Sequence, residues 1–307
     1  MVQYRKTLLE IYMEIRVLKY FLAVAREGTV SAAAESLHLT QPTLSRQLHD
    51  LEEELGKKLF VRGAHSIKLT EEGMLLRSRA EQIVELVSRT ESDIMTSNDT
   101  LSGDVYIGAG ETDAVKYVAA AAKKMQSDFP PVHFHIYSGD GEHILGRLDK
   151  GLCDFGIVFV PVDESKYHSI KMPVRDEWGV LMRIDSGLAG KKKIRLTDIA
   201  DKPVILSRQR SDKAPLHNWF GEYADKLNVV STYNLVFNAS IMVREGVGYA
   251  LAFDKLINVS GDSELCFRPL YPPVYAGMNF IWNKYQPMTK TAEAFLEYFR
   301  TEIGDVE

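Results

Sequence analysis

The chain has 307 residues, of which 45% are hydrophobic, and its formal net charge is −5 at pH 7. This length and composition are typical of two or three domains with real apolar cores, and the negative balance excludes a polycation that binds nucleic acid through charge alone. We find no stretch of the roughly eighteen apolar residues that a membrane span needs, and Cys153 and Cys266 are too far apart in sequence for a close-spaced metal site or a disulfide framework.

The segment from Gly28 to Glu53 has the pattern of two short helices joined by a tight turn. Ser31 is a candidate cap for the first helix and Thr40 for the second, and Pro42 occupies the first turn of the second, where its missing N–H costs nothing. Apolar residues three or four apart predict the buried stripe of that helix: Leu44, Leu48, Leu51 and Leu55. An amphipathic helix before Gly28 completes a three-helix core, which is the pattern of a helix-turn-helix.

The other side of the second helix carries small polar and cationic side chains, mostly in its first two turns. Gln can pair with adenine through two hydrogen bonds, Arg can do so with guanine, and Ser or Thr can bind several partners. The side chains that suit base and phosphate contacts are Gln41, Thr43, Ser45, Arg46 and His49. The alternative is a small helical bundle with a merely solvated polar face, and the neighbouring segments disfavour it.

Downstream, Phe60 to Leu69 predicts a short hairpin with Gly63 near its tip, which is the wing of a winged helix-turn-helix. Residues 1–97 carry 13 Lys+Arg against 14 Asp+Glu, so this part of the chain is not basic as a whole. Four cations nevertheless lie together with no acid among them: Lys57, Lys58, Arg62 and Lys68. We interpret them as a local phosphate-facing patch, with the acids of Glu52–Glu54 turned outward, and expect modest, salt-sensitive affinity for random DNA.

This part of the chain resembles the N-terminal signature of LysR-type transcriptional regulators in its ordered motifs AA, QPTLSRQ, LEEELG, LFVR and LTEEG. The resemblance implies DNA contacts from one set of residues: Thr40, Gln41, Pro42, Thr43, Ser45, Arg46 and Arg62. Many members carry a basic residue near the wing tip, where this chain has Ala64 and His65, and histidine is a weaker, pH-dependent cation. Met13 stands where members usually begin, so residues 1–12 are either a natural extension or a misassigned start.

From Glu71 to about Ser97 the pattern is one long helix, with an apolar seam at Leu76, Ala80, Ile83, Val87 and Ile94. Such a seam suits pairing with a second copy, and a homodimer would supply two recognition helices for two half-sites. The alternative is a single helix lying on its own domain, which the charged residues around the seam disfavour. The resemblance implies the dimer as well, and usually a tetramer. A polar stretch over residues 98–103 predicts a hinge.

After Gly103, strands and helices alternate, which indicates a parallel α/β sheet with right-handed crossovers. A second set begins at Trp178, so we predict two linked lobes, lobe I over about 103–173 and 273–303 and lobe II over about 174–272. They resemble the effector domain of LysR-type regulators and the type 2 periplasmic binding proteins. The predicted fold class is therefore α/β multidomain, with a winged helix-turn-helix (13–70), a linker helix and hinge (71–102) and an effector-binding domain (103–307).

Ligands of open α/β sheets bind beyond the carboxyl ends of the strands. That rule selects the strand ends Gly110-Glu111-Thr112, Ser138-Gly139, Phe159, Ser207-Arg208 and Ala252-Phe253. The effector-binding candidates among them are Thr112, Ser138, Phe159, Ser207, Arg208 and Phe253. Thr112 is expected to open a helix, whose free N–H groups favour an anion, and Arg208 with Arg210 would support a carboxylate-bearing effector. Each polar residue is alternatively an ordinary cap or a solvated loop charge.

Together these patterns predict a cytoplasmic, sequence-specific DNA-binding transcriptional regulator under the control of a small-molecule effector. A solute-binding protein of the same two-lobed fold is the alternative, and the helix-turn-helix and the absence of a signal peptide disfavour it. Neither a nucleophile elbow nor a zinc motif is present, so we expect no enzyme, no cofactor and no metal. Cys153 falls in a predicted buried strand, which favours an inert thiol over a redox pair with Cys266.

Overall fold

The computed structural model describes residues 13–63, 66–95, 101–159, 161–208, 215–224 and 226–304. Residues 1–12, Ala64, His65 and Arg210, which enter the sequence predictions above, lie outside these ranges. The chain divides into two compact units, Met1–Met95 and Thr96–Glu307. Within the described ranges, no helix is long and apolar enough to cross a membrane.

The N-terminal unit is a three-helix core followed by a two-stranded hairpin and a long helix. Its elements are α1 (Ile15–Glu27), α2 (Val30–Ser36), α3 (Gln41–Leu55), β1 (Phe60–Arg62), β2 (Ile67–Leu69) and α4 (Glu71–Met95). Gly28 and Gly56 end α1 and α3 with φ of 73° and 60°, a left-handed conformation that glycine adopts at low cost. The predicted helix-turn-helix and wing are thereby confirmed, with a core built on Phe21, Leu44 and Leu51.

The helix caps differ from the prediction at one position. Thr29 caps α2, because its Oγ1 accepts a hydrogen bond from the N–H of Ala32 at 3.2 Å. Ser31, which we predicted as the cap, lies inside the helix and is exposed, so that prediction is wrong. Thr40 caps α3 as predicted and accepts from the N–H of Thr43 at 3.4 Å. Two hydroxyl residues near one helix start are equivalent by propensity, and packing of the helix decides which of them is the cap.

Part of the predicted linker seam is used within the chain. Leu76, Ala80 and Ile83 pack against the core of the N-terminal unit, and Ala80 is fully buried there. The charged residues beside Ala80 do not prevent this contact, because Arg77 and Glu81 are exposed and pair with each other at 2.9 Å. The reading of α4 as a helix free of its own domain is therefore wrong for its first half. Beyond it, Val87 is half-buried and Ile94 is 78% exposed.

The C-terminal unit alternates strands and helices. Its elements are β3 (Gly103–Ala109), α5 (Val115–Asp128), β4 (Val132–Ser138), α6 (Gly141–Asp149), β5 (Phe155–Val158), β6 (Tyr167–Arg183), β7 (Ile194–Arg195), α7 (Leu196–Ile199), β8 (Val204–Ser207), α8 (Pro215–Phe220), β9 (Val229–Tyr233), α9 (Val236–Arg244), β10 (Tyr249–Phe253), β11 (Leu265–Tyr271), β12 (Tyr275–Asn283) and α10 (Lys290–Ile303). A short 3-10 helix, Gly221–Tyr223, follows α8. The strands form one mixed sheet in the order β4-β3-β5-β12-β6-β10-β8-β9, with β11 pairing with β6 and β7.

The long strand β6 joins the two halves of this sheet. Its first part pairs with β12, from Tyr167 opposite Asn283 to Glu177 opposite Tyr275, and its last part pairs with β10 and β11. On one side of it β4, β3 and β5 are parallel, and on the other β10, β8 and β9 are parallel. Each half has its own apolar core. The α/β class and the two-lobed plan are confirmed, whereas β6 begins at Tyr167 rather than Trp178 and β11 was not predicted.

Candidate nucleic-acid interface and interlobe cleft

The face of α3 opposite its buried leucines is open to solvent. Pro42, Ser45, Arg46 and His49 are three or four residues apart, so they share this face, and the Arg46 side chain is 84% exposed. Gln41 and Thr43 are exposed in the first turn. The structure thus brings the candidate contacts together on two turns of one helix, which is the arrangement a major groove accepts.

The two basic side chains on this face, Arg46 and His49, lie only at the distance limit of contact with acids. Arg46 Nε lies 3.9 Å from Asp50 Oδ2, and His49 Nδ1 lies 3.7 Å from Glu53 Oε1, with all four side chains well exposed. Exposed pairs of this kind contribute little stability, roughly 0–1 kcal/mol. Both side chains are therefore able to leave their partners for a phosphate or a base.

Glu52 fastens the wing to α3. Its Oε1 accepts hydrogen bonds from the N–H groups of Leu59 at 2.8 Å and Phe60 at 3.3 Å, and Lys58 Nζ donates to its Oε2 at 2.7 Å. Burial alone would raise the pKa of this carboxyl, but the hydrogen bonds from Lys58 and the two backbone amides outweigh it and lower the pKa. Only 12% of the side chain is exposed, so the prediction that it turns outward is wrong. Glu53, at 70% exposure, does turn outward.

The predicted basic patch is partly neutralised. Lys57 pairs with Glu72 at 3.3 Å and Lys58 with Glu52, so neither presents a free cation. Lys68 is exposed between two inward-facing neighbours of β2 and makes no ion pair with a described residue. The backbone of Arg62 pairs with Ile67 in the wing, and its side chain lies outside the described atoms.

Helix α3 and the wing, together with Val30 of α2, line a groove of about 320 Å³. It is lined by Val30, Ser45, Leu48, His49, Glu52, Lys58, Phe60 and Ile67. In the described ranges, the one group of metal-capable side chains close together is His49, Asp50 and Glu53, all exposed on α3. In the C-terminal unit, His135 contacts Asp104 at 3.0 Å and stacks on Tyr106.

In the C-terminal unit, strand ends from both lobes come together at one junction, which we call the interlobe cleft. Phe159 follows β5 in lobe I and Phe253 ends β10 in lobe II, and their rings stack at a centroid distance of 5.0 Å. Trp178 of β6 packs on Phe253 at 4.2 Å, as expected for residues directly opposite in adjacent strands. Gly110 lies against this cluster, since a Cβ there would come within 3.1 Å of Phe159.

Polar groups line the same cleft. Thr112 is buried; its Oγ1 accepts from the N–H of Ala114 at 3.0 Å and lies 3.3 Å from Met278 Sδ. Helix α5 begins at Val115 rather than at Thr112, so the hydroxyl caps the turn before the helix. Across the cleft, the carboxylate of Glu111 accepts a hydrogen bond from the N–H of Val236 at the start of α9.

Two carboxyl groups in the cleft have raised pKa values. Burial raises the pKa of Glu111, and the hydrogen bond from Val236 offsets only part of it. Burial also raises the pKa of Asp176, which is 7% exposed, although a hydrogen bond from Thr112 opposes the change. Glu111 lies in a strand end that the sequence rule selected, although it was not named as a ligand, whereas Asp176 was not selected. The sequence does carry a signal for Asp176, because it interrupts an apolar strand pattern.

The remaining predicted ligand residues lie at the rim of the strand ends. Ser138 ends β4 and is exposed, Ser207 ends β8 and is half-buried, and Arg208 is exposed, with its backbone N–H bonded to the carbonyl of Tyr233 at 2.7 Å. Cys153 and Cys266 lie in different core clusters, and burial raises the pKa of Cys266.

Comparison with known protein families gives two matches that together span most of the chain. Residues 15–74 match the model described as "Bacterial regulatory helix-turn-helix protein, lysR family", and residues 98–304 match "LysR substrate binding domain".

Individual relatives are distant. The uncharacterized HTH-type transcriptional regulator YvbU of Bacillus subtilis (strain 168) is 25% identical over 298 residues, which are 95% of this chain and 99% of that protein. The dual regulator OxyR of Escherichia coli (strain K12) is 29% identical over 196 residues, 63% of each chain. Among solved structures, full-length CbnR complexed with its target DNA has a TM-score of 0.70 at 18% identity and covers 94% of this chain and 100% of its own.

Proposed function

The chain belongs to the LysR family, and from that membership we propose which of its residues read DNA and where its effector binds. It is a DNA-binding transcriptional regulator with an effector-binding domain. A protein that binds the bacterial chromosome acts in the cytoplasm, which is where we place it. We assign it a regulatory role and no catalytic one.

The observation that carries the DNA assignment is the exposed face of α3. Gln41 and Arg46 are the base-reading candidates, because both end in groups that can form two hydrogen bonds with one base. Neighbouring side chains on the same turns would fix the helix on bases or the adjacent backbone: Thr40, Pro42, Thr43, Ser45 and His49. Lys68, and Arg62 with it, would bind phosphates from the wing.

Binding titrations with the DNA that flanks the protein's own gene test this assignment. Gln41→Ala and Arg46→Ala should each cost about 1–3 kcal/mol on that DNA and little on random DNA. Lys68→Ala should weaken both about equally and reduce the salt slope by about one. Lys123→Ala, an exposed lysine of the other unit, is the matched control. If all three variants affect specific and random DNA alike, the assignment fails; wild-type protein with no preference for the flanking DNA would support the solute-binding alternative.

We place the effector in the cleft between the two lobes. The contact between Phe159 and Phe253 supports this position, since it joins strand ends of both lobes in one cluster. Thr112 lies inside the cleft, and Ser138, Ser207 and Arg208 would contact the ligand from its rim. A ligand that bridges the lobes would shift the population between two arrangements of the domain.

A homodimer through α4 fits a protein that reads paired half-sites. The apolar side chains beyond its intramolecular contact support it, because Leu86 is 42% and Ile94 78% exposed. The resemblance to LysR-type regulators implies, in addition, that two such dimers form a tetramer. Peroxide sensing, as in the relative named hydrogen peroxide-inducible genes activator of Pectobacterium carotovorum, finds no support here, since the two cysteines lie in separate cores.

A further inference from the structure

The interlobe cleft contains a carboxylate oxygen with no partner. Asp176 is 7% exposed, and its Oδ2 forms no hydrogen bond with any described residue. A buried polar atom without a partner is costly, and such atoms are uncommon in native proteins. Asp176 lies on β6 two residues before Trp178, so both side chains point to the same face of the strand.

Three acids and two lysines lie in this part of the cleft: Glu111, Asp113 and Asp176, with Lys116 and Lys255. Burial and Asp113 raise the pKa of the Asp176 carboxylate, and Thr112, Lys255 and Lys116 act on it to lower the pKa. Both lysines are directed at Asp113, with Lys116 Nζ at 2.6 Å and Lys255 Nζ at 3.9 Å from Asp113 Oδ2. Within the described part of the chain, Asp176 therefore forms no ion pair of its own, although both lysines act on it from a distance.

The N-terminus of α9 could bind an anion, but a carboxylate of the protein itself already lies there. The N-terminus of α9 offers free N–H groups, and the carboxylate of Glu111 already accepts the one from Val236. Tyr233, whose hydroxyl donates to the carbonyl of Leu251 at 2.7 Å, feels the charge of Glu111 and offers it no positive partner. A carboxylate-bearing effector would have to displace Glu111 and then lie beside Asp113 and Asp176.

Aromatic rings complete the surroundings. The ring of Phe159 stacks on Phe253, and Trp178, two residues along β6 from Asp176, packs on Phe253 at an interplanar angle of 49°. Each of the three rings is partly exposed. Aromatic faces attract cations, and the attraction grows when water is excluded. We propose that the cleft binds an effector with an ammonium group, held by the Asp176 carboxylate and the rings of Phe253 and Trp178. This inference rests on the proposed function, because it names the chemical class of the effector for the same cleft.

A charge-matched series of small probes tests it on the full chain. Benzylamine carries an ammonium beside one ring, and benzyl alcohol and benzoate replace it with a neutral group and an anion of similar size. We expect benzylamine to raise the melting temperature at millimolar concentration and to bind in calorimetry, and the other two to do neither.

Variants separate a binding role of Asp176 from a structural one. Asp176→Asn keeps the shape and removes the charge, so it should weaken benzylamine at least about thirtyfold, the loss expected when one member of a buried charge pair is removed. The same variant should melt higher than wild type without ligand, which shows that it folds. Asp201→Asn removes an acid that is 73% exposed and should change neither property.

The outcomes distinguish this inference from the regulatory assignment. Binding of benzoate in place of benzylamine, binding of neither probe, or equal benzylamine affinity in Asp176→Asn would each overturn the ammonium site. None of these results would affect binding to the flanking DNA, which the Gln41 and Arg46 variants test separately.

Discussion

Glu52 and Asp176 are both shielded acids, and their surroundings shift their pKa values in opposite directions. Glu52 is surrounded by donors, from Lys58 and the amides of Leu59 and Phe60, so its charged form is stabilised in the fold. Asp176 has one hydroxyl donor in Thr112 and a neighbouring acid in Asp113. The first residue therefore stabilises the protein when ionised, and the second destabilises it.

Replacing Glu52 by Ala should detach the wing from α3. The N–H groups of Leu59 and Phe60 would lose their acceptor, which costs about 1–3 kcal/mol of unfolding free energy. Because the folded pKa of Glu52 is lowered, its contribution is complete above the ordinary carboxyl pKa and disappears as the pH falls through the folded value. Urea unfolding at several pH values measures both effects. Glu53→Ala is the control and should change stability by less than about 0.5 kcal/mol; equal losses in both variants would contradict the anchoring role.

Asp176→Asn should raise the unfolding free energy at neutral pH. An acid whose folded pKa is raised binds its proton more tightly in the native state, so its presence lowers stability progressively as the pH rises from the unfolded pKa towards the folded one. The difference between variant and wild type should therefore grow over that window and vanish at lower pH. Thermal melts from acid to neutral pH measure it. A constant difference at all pH values would mean that shape, not charge, causes it.

Helical elements were predictable from sequence because their signals are local. α3 begins one residue after its predicted cap, Thr40, and ends at Leu55, the last residue of its predicted apolar stripe. The first half of β6 was missed although Ile170, Met172 and Val174 alternate with exposed residues, because Pro173 disfavours the interior of a strand and the partner, β12, lies far along the chain. Pairing at that distance leaves no local trace, and so the acid at the crossing, Asp176, was not assigned to the cleft.

The long helix α4 also shows that a local sequence pattern does not identify the partner of an apolar surface. Its seam was visible in sequence, but periodicity alone cannot tell a contact with the chain's own domain from a contact with a second copy. The burial of Ala80 and the exposure of Ile94 divide the seam into two parts with different partners.

Two substitutions on α4 should separate those parts. Ala80→Asp places an uncompensated charge in the N-terminal core and should cost about 3–5 kcal/mol of stability. Ile94→Asp changes an exposed position, so it should leave the melting temperature of the monomer unchanged and weaken the dimer. Sedimentation velocity and thermal melts distinguish the two. An Ile94→Asp protein that remains dimeric at low concentration would place the interface outside this part of the helix.

At the scale of the whole molecule, the two units carry separate parts of one function. The N-terminal unit holds the candidate base-reading residues Gln41 and Arg46, and the C-terminal unit holds the cleft with Asp176. The division of labour was predictable, because motifs and strand–helix alternation occupy separate stretches of sequence. The strand-end rule pointed to Glu111 and Phe253, but Asp176 lies within β6, and its position follows only from the pairing of β6 with β12 and β10.

Because regulation requires the two units to communicate, the effector and DNA must change each other's affinity by the same factor. We expect a factor of about 5 to 150 with benzylamine as the probe, the usual size of such coupling. DNA titrations with and without benzylamine give one side of the cycle, and calorimetry of benzylamine with and without DNA gives the other. Asp176→Asn should abolish the coupling while preserving DNA affinity, and Arg46→Ala should preserve benzylamine binding while lowering DNA affinity. A wild-type cycle with no change on either side would leave the cleft as a binding site without regulatory effect.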